Sequence, residues 1–196
     1  MNIAKDYKII LASASPRRRE LLEQVGIEYE CIPSVCEEIT KETEPAKLVS
    51  ELSRLKALDV AKQFEGTDEN TIIIGADTIV CLGNEIMGKP ASEAQAFQML
   101  KKLSGREHSV FTGVTLVIIK NGKTRHMTLY AETKVHVYPM KDEEILDYIK
   151  TGEPMDKAGA YAIQGMFSAF IEKIEGDYNN VVGLPVSRVC KILREV

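Results

Sequence analysis

The sequence predicts an α/β or α+β fold built on a mixed sheet, for three reasons. Apolar runs of strand length occur at Tyr7 to Leu11 and Thr71 to Leu82, helical spacing links Leu48, Leu52, Leu55, Leu58 and Ala61, and Asn121-Gly122 joins two alternating segments as a hairpin would.

Taken in order, Tyr7 to Leu11 reads as a buried strand, since Ile9, Ile10 and Leu11 run without polar interruption into a Ser-Ala-Ser-Pro turn. A helix then starts with Ser15 as N-cap and Pro16 in the first helical position, and Gly26 ends it. Tyr29 to Ile32 is a second short strand, and Ala46 to Phe64 a long amphipathic helix behind Pro45. Thr71 to Leu82 is continuously apolar around Gly75 except for one charge, Asp77. Leu82 to Met87 reads as a tight hairpin. Ser92 with Gln95 forms a capping box for a helix through Leu103. Val110 to Ile119 and Thr128 to Val137 are the hairpin strands, Asp142 to Lys150 a helix, Phe167 to Ile174 a strand and Pro185 to Arg194 a closing helix.

The 196 residues, 44% apolar and 28% charged, suit an ordinary globular protein, and without repeats or linkers the expectation is a single domain over 1–196. A net charge of -4 argues against a protein that grips a nucleic-acid backbone, while leaving room for a few converging cations around a small phosphorylated ligand. The four cysteines, at 31, 36, 81 and 190, include no CxxC pair, and the histidines at 108, 126 and 136 form no ligand pattern with them, so no structural zinc site is expected. The first residues are too short an apolar run for a signal peptide or a spanning helix. The expectation is a cytoplasmic protein with reduced thiols and no membrane partner.

Several segments carry residues suited to chemistry. Ser13 to Arg19 is a strand-turn-helix junction of small residues and arginines, suited to phosphate through helix amides and bidentate guanidinium groups; a solvated helix cap explains it equally well. Asp77 sits where a charge is costly unless compensated, so it either holds a divalent metal or takes a proton from water, or else is a structural carboxylate bonded to backbone amides. Gly83 to Lys89 matches a phosphate-loop pattern, but Pro90 stands where a metal-binding hydroxyl is required, leaving Lys89 as an isolated cation. In Asp156 to Gly165, small residues permit close approach and Gln164 offers a donor-acceptor pair for a base edge; the other reading is a plain loop with a solvated Asp156-Lys157 pair. Glu37-Glu38 is either solvated surface or part of a metal site.

In order, LASASPRR, Glu37-Glu38, Lys56, GADTIV, GKP, KLSGREHSV, DKAGAYAIQG and VVGLP resemble the Maf family of nucleotide pyrophosphatases, over Leu11 to Leu184. The resemblance implies a fold similar to the inosine triphosphate pyrophosphatases, with two lobes flanking a nucleotide cleft. It implies hydrolysis of a nucleoside triphosphate between its α- and β-phosphates with Mg2+ or Mn2+, Asp77 falling on the catalytic acidic position and Glu38 on a cleft position; Glu38 and Asp77 are the expected metal ligands. Arg17, Thr78 and Gln164 match positions that tune substrate choice; Ser13, Arg18, Lys56, Lys89, Asp156 and Lys157 match other substrate contacts. DKAGAYAIQG is similar to the branch acting on dTTP and UTP, with modified pyrimidine triphosphates as further substrates and an association with septum arrest. Two rivals stay open: a 7-methyl-GTP or noncanonical purine triphosphate pyrophosphatase, and a non-catalytic nucleotide-binding regulator of septum formation. A homodimer is allowed.

Overall fold

A computed structural model describes residues 4–67 and 69–196. The strands are β1 (Lys8–Leu11), β2 (Glu30–Cys31), β3 (Thr71–Leu82), β4 (Glu85–Met87), β5 (Glu107–Lys120), β6 (Lys123–Val137) and β7 (Ile171–Glu175). The helices are α1 (Pro16–Gln24), α2 (Pro45–Ala61), α3 (Glu93–Leu103), α4 (Asp142–Lys150), α5 (Tyr178–Val182) and α6 (Val186–Arg194). The fold is mixed α/β on a seven-stranded sheet of order β2-β1-β3-β5-β6-β7, with β4 on β3. Strand β1 runs parallel to both β2 and β3, whereas β4 on β3 and β7 on β6 are antiparallel. Ile9, Ile10, Leu11 and Ile72, Ile73, Ile74 are all buried, as the parallel neighbours of a sheet covered on both faces require of their continuously apolar strands.

The chain divides into two compact units, the first Met1–Asp77, Thr112–Ala131 and Gly183–Val196, the second Thr78–Phe111 and Glu132–Val182. In the first, Ala57, Val60, Ala61 and Phe64 on and just beyond α2 pack with Ile10, Ile73, Val117 and Ile119. Two glycines let α2 lie this close: a Cβ on Gly75 would stand 2.4 Å from the Ser53 carbonyl oxygen, and one on Gly113 2.1 Å from that of Val49. In the second unit Phe167 is fully buried among Tyr161, Tyr148 and Phe170, with ring centroids 4.7, 5.2 and 5.6 Å away.

Most expected elements are present, but the hairpin strands start earlier than expected, β5 at Glu107 instead of Val110 and β6 at Lys123 instead of Thr128. Ser92 is the N-cap of α3, its Oγ accepting the Gln95 N–H, but the return bond of the expected capping box falls one residue early, Gln95 Oε1 accepting the Ala91 N–H. Three further features differ. The strand expected from Phe167 begins only at Ile171, because the aromatic cluster turns Met166–Phe170 into a 3-10 helix. Ser15 has the N-cap backbone conformation but no side-chain cap bond; its N–H donates to Ser13 Oγ at 3.2 Å instead. Helix α5 is an addition, and its Asn180 is buried against the Val110 carbonyl and Thr133 Oγ1. No helix among the described residues is long and apolar enough to cross a membrane.

Candidate active site

Asp77 ends the first unit's share of β3 with its side chain only 12% exposed. A charge so placed needs a counter-ion, and α2 supplies Lys56, whose Nζ stands 2.6 Å from Asp77 Oδ1 with its own side chain 16% exposed. The glycine at 75 makes this possible, since α2 approaches β3 closely only where no Cβ intervenes. The same ammonium lies 2.9 Å from Glu38 Oε1, so one cation holds two carboxylates from distant parts of the chain.

Glu38 lies in an irregular segment that α2 fastens on both sides. Upstream, the Ser34 hydroxyl and Val35 N–H donate to Asp59 Oδ2 at 2.8 and 3.2 Å, holding that carboxyl below its usual range. Downstream, the Thr40 hydroxyl donates to Glu51. Positions 51, 56 and 59 thus set where Glu38 meets Lys56.

Arg18 completes this group. Its Nε donates to the Gly183 carbonyl at 2.8 Å and its Nη1 to Ser13 Oγ at 3.0 Å, fixing the guanidinium in one orientation. Burial lowers its pKa, and the negative charges of Asp77 and Glu38 oppose that shift while neighbouring Arg17 adds to it. Ser13, Arg18, Glu38, Lys56 and Asp77 are therefore one electrostatic cluster, with the half-buried Arg17 on the same helix turn.

The remaining expected residues belong to the second unit. Lys89 is exposed, and the Gly88 carbonyl just before it accepts the Gly159 N–H at 3.0 Å, tying the GKP segment to DKAG. Lys157 pairs with Asp156 and donates to the Glu153 carbonyl at 3.3 Å. Gly159 and Ala160 are both left-handed, at φ 68 and 61, a turn that strains the alanine. Gln164 is exposed and Thr78 half-buried.

The carboxylates of Asp77 and Glu38 are hard oxygen donors gathered around a single positive charge, which suits a divalent ion that takes one or two carboxylates and fills its remaining positions with water or phosphate. Elsewhere among the described residues, ligand atoms of Glu107, His136 and Glu175 lie within 4.8 Å of one another, His136 Nε2 being 3.2 Å from each carboxylate. Lys134 and Lys173 stand 3.0 and 2.7 Å from the two glutamates, making the triad part of a wider, mostly exposed ion network.

A family description, Maf-like protein, matches residues 8–196. The chain belongs to this family. A dTTP/UTP pyrophosphatase of Lachnoclostridium phytofermentans is 56% identical over 93% of this chain and 92% of its own. Proteins of the same name from a Thermoanaerobacter species and from Agathobacter rectalis are each 51% identical, over 95% and 96% of this chain and 95% and 97% of theirs. The solved Ham1 protein of Staphylococcus aureus aligns with 80% of this Maf-family chain and 87% of its own at 14% identity and a TM-score of 0.40.

Sequence reasoning missed the residues that position this Maf cluster. Gly183 lies within the VVGLP run, but nothing local marks its carbonyl as the acceptor for Arg18. Asp59 and Glu51 read as ordinary helix-surface acids, and only the fold brings Ser34 and Thr40 to them.

Proposed function

We propose that this chain is a nucleoside triphosphate pyrophosphatase that hydrolyses dTTP and UTP, with modified pyrimidine triphosphates as further substrates, to the monophosphate and pyrophosphate. The observation that carries the reading is the half-buried Lys56 ammonium shared by Asp77 and Glu38, beside an oriented Arg18. It concentrates a candidate base, hard oxygen donors and cations at one place on an acidic protein. Relatives of about half identical sequence named dTTP/UTP pyrophosphatase support the choice of substrate.

In this reading Arg17, Arg18 and Lys56 take the oxygens of the triphosphate, the guanidinium groups as bidentate donors. Asp77 accepts a proton from water as the water oxygen bonds to the α-phosphorus. The bond from that phosphorus to the α-β bridging oxygen breaks, and pyrophosphate departs with the bridging oxygen. Such a general-base step contributes about 10²–10⁴-fold. Glu38 and Asp77 would hold Mg2+ or Mn2+, which when bound supplies neutralising charge for the phosphates. Ser13 keeps Arg18 oriented. Thr78, Lys89, Asp156 and Lys157 are assigned further substrate contacts, and Gln164 the reading of the base edge. A cytosolic setting belongs to the same proposal and agrees with four free cysteines.

The test incubates purified protein with dTTP, UTP, CTP, ITP and 7-methyl-GTP separately, with and without magnesium, and separates monophosphate plus pyrophosphate from diphosphate plus phosphate. Metal-dependent dTMP and UMP with pyrophosphate are expected. Preference for ITP or 7-methyl-GTP would move the substrate to the purine readings. Nucleotide binding without any turnover would overturn the enzyme and favour a regulator.

A further inference from the structure

We infer that Tyr148 and Glu153 form a positioning clamp that presents Gln164 for base selection, an inference that rests on the proposed role of Gln164. Residues 161–165 lie between the elements of the second unit, with a single turn in which the Gly165 N–H donates to the Ala162 carbonyl at 3.1 Å, so side chains must hold the two ends of that turn. The Tyr148 hydroxyl donates to Glu153 Oε1 at 2.7 Å and accepts the Ala162 N–H at 3.2 Å. The other oxygen of Glu153, Oε2, accepts the Met166 N–H at 3.1 Å. Two backbone amides, each two residues from Gln164, are thus tied to one tyrosine-glutamate pair.

Further anchors limit what the segment can do. Tyr161 reaches His108 Nε2 at 2.7 Å, and Phe167 is locked in the aromatic cluster with Tyr148. Ile163 is buried, leaving Gln164 exposed between the two tied amides. A Cβ on Gly165 would lie 2.3 Å from both Glu153 carboxylate oxygens. Gly165 has φ -100, an ordinary conformation, so space for the carboxylate is what requires glycine there. Glu153 also accepts Lys157 on its carbonyl, so the glutamate meets the DKAG segment and the segment after Gln164. An amide side chain discriminates between bases only if its donor and acceptor are held in register with the base edge, and this clamp supplies that register.

The test is a double-mutant cycle between Tyr148→Phe and Gln164→Ala on the full chain, measuring kcat and KM for dTTP, UTP and CTP. Tyr148→Phe keeps the ring in the aromatic cluster and removes only the hydroxyl. It is expected to reduce the preference for dTTP and UTP over CTP about tenfold, acting on KM more than on kcat. In the Gln164→Ala background it should change that preference no further, because the residue being positioned is gone. Glu153→Gln, which keeps one acceptor oxygen, should fall between wild type and Glu153→Ala. Amide hydrogen exchange at Ala162 and Met166 reads the clamp without any turnover and should accelerate in Tyr148→Phe and Glu153→Ala respectively. Equal losses for every nucleotide, or an undiminished effect of Tyr148→Phe without Gln164, would overturn the positioning role while leaving the pyrophosphatase reading intact. Absence of turnover in the wild-type protein would overturn that reading and with it the assignment of the clamp to base selection, whereas unchanged exchange would refute the clamp itself.

Discussion

Replacing Asp77 by Asn separates catalysis from folding. Asparagine has nearly the same shape, and its amide oxygen can still accept from Lys56, so what disappears is the charge-assisted part of a 2.6 Å contact whose partners are 12% and 16% exposed. Losing that part costs about 1–3 kcal/mol. Lys56 keeps Glu38 at 2.9 Å, so the larger penalty of about 3–5 kcal/mol for a stranded buried charge is avoided. At roughly 2–4 °C per kcal/mol for a chain of this size, the melting temperature should fall by less than about 12 °C. Turnover should fall about 10²–10⁴-fold, equivalent to roughly 3–5 kcal/mol in the activation barrier. The assay is pyrophosphate release from dTTP under saturating magnesium, beside a thermal melt of the same preparation. A folded variant with undiminished turnover would refute the assignment of Asp77 as the base. A collapse of the fold would show that the Lys56 contact is mainly structural.

Three further outcomes follow from the same geometry. Arg18→Lys cannot keep both the Gly183 and the Ser13 contacts, so KM for the triphosphate should rise about tenfold with a smaller change in kcat, measured by steady-state kinetics. Gly75→Ala drives a Cβ into the backbone of α2, displacing Lys56 from Asp77; a loss of about 1–3 kcal/mol in urea denaturation with reduced turnover is expected, and a neutral result would show that α2 yields without cost. His108 is 2% exposed, and burial, followed by the charge of His136, draws its pKa from 6.5 down to about 4. The unfolded chain therefore takes up that proton first as pH falls: the stability contribution is complete above pH 6.5 and declines towards pH 4, by about 3 kcal/mol at roughly 1.4 kcal/mol per pH unit. Chemical denaturation of wild type and His108→Gln across that window should show a shallower slope in the variant, and identical slopes would remove His108 from the acid response.

The order and type of elements were legible from the sequence because they are set by local pattern. Continuous apolar runs gave β1 and β3, the Leu48-to-Ala61 spacing gave α2, Asn121-Gly122 marked the hairpin, and Ser92 with Gln95 marked the start of α3. The strand expected from Phe167 began late because Phe167 and Phe170 pack with Tyr148 and Tyr161, rings contributed from other elements. Asp77 was conspicuous by itself, since a lone charge in an apolar strand must be compensated. Its compensator was not conspicuous: Lys56 belongs to an amphipathic helix where a lysine is expected, and it meets Asp77 only because Gly75 lets α2 approach β3. Glu153 and Tyr148 were likewise silent in a helix and a turn, since a hydrogen bond across thirteen residues, from the Met166 amide to Glu153, leaves no periodic signature. Sequence pattern determines which backbone conformations are affordable; the partner of each buried charge and each irregular amide is decided by tertiary packing, because these contacts depend on distance in space and not along the chain.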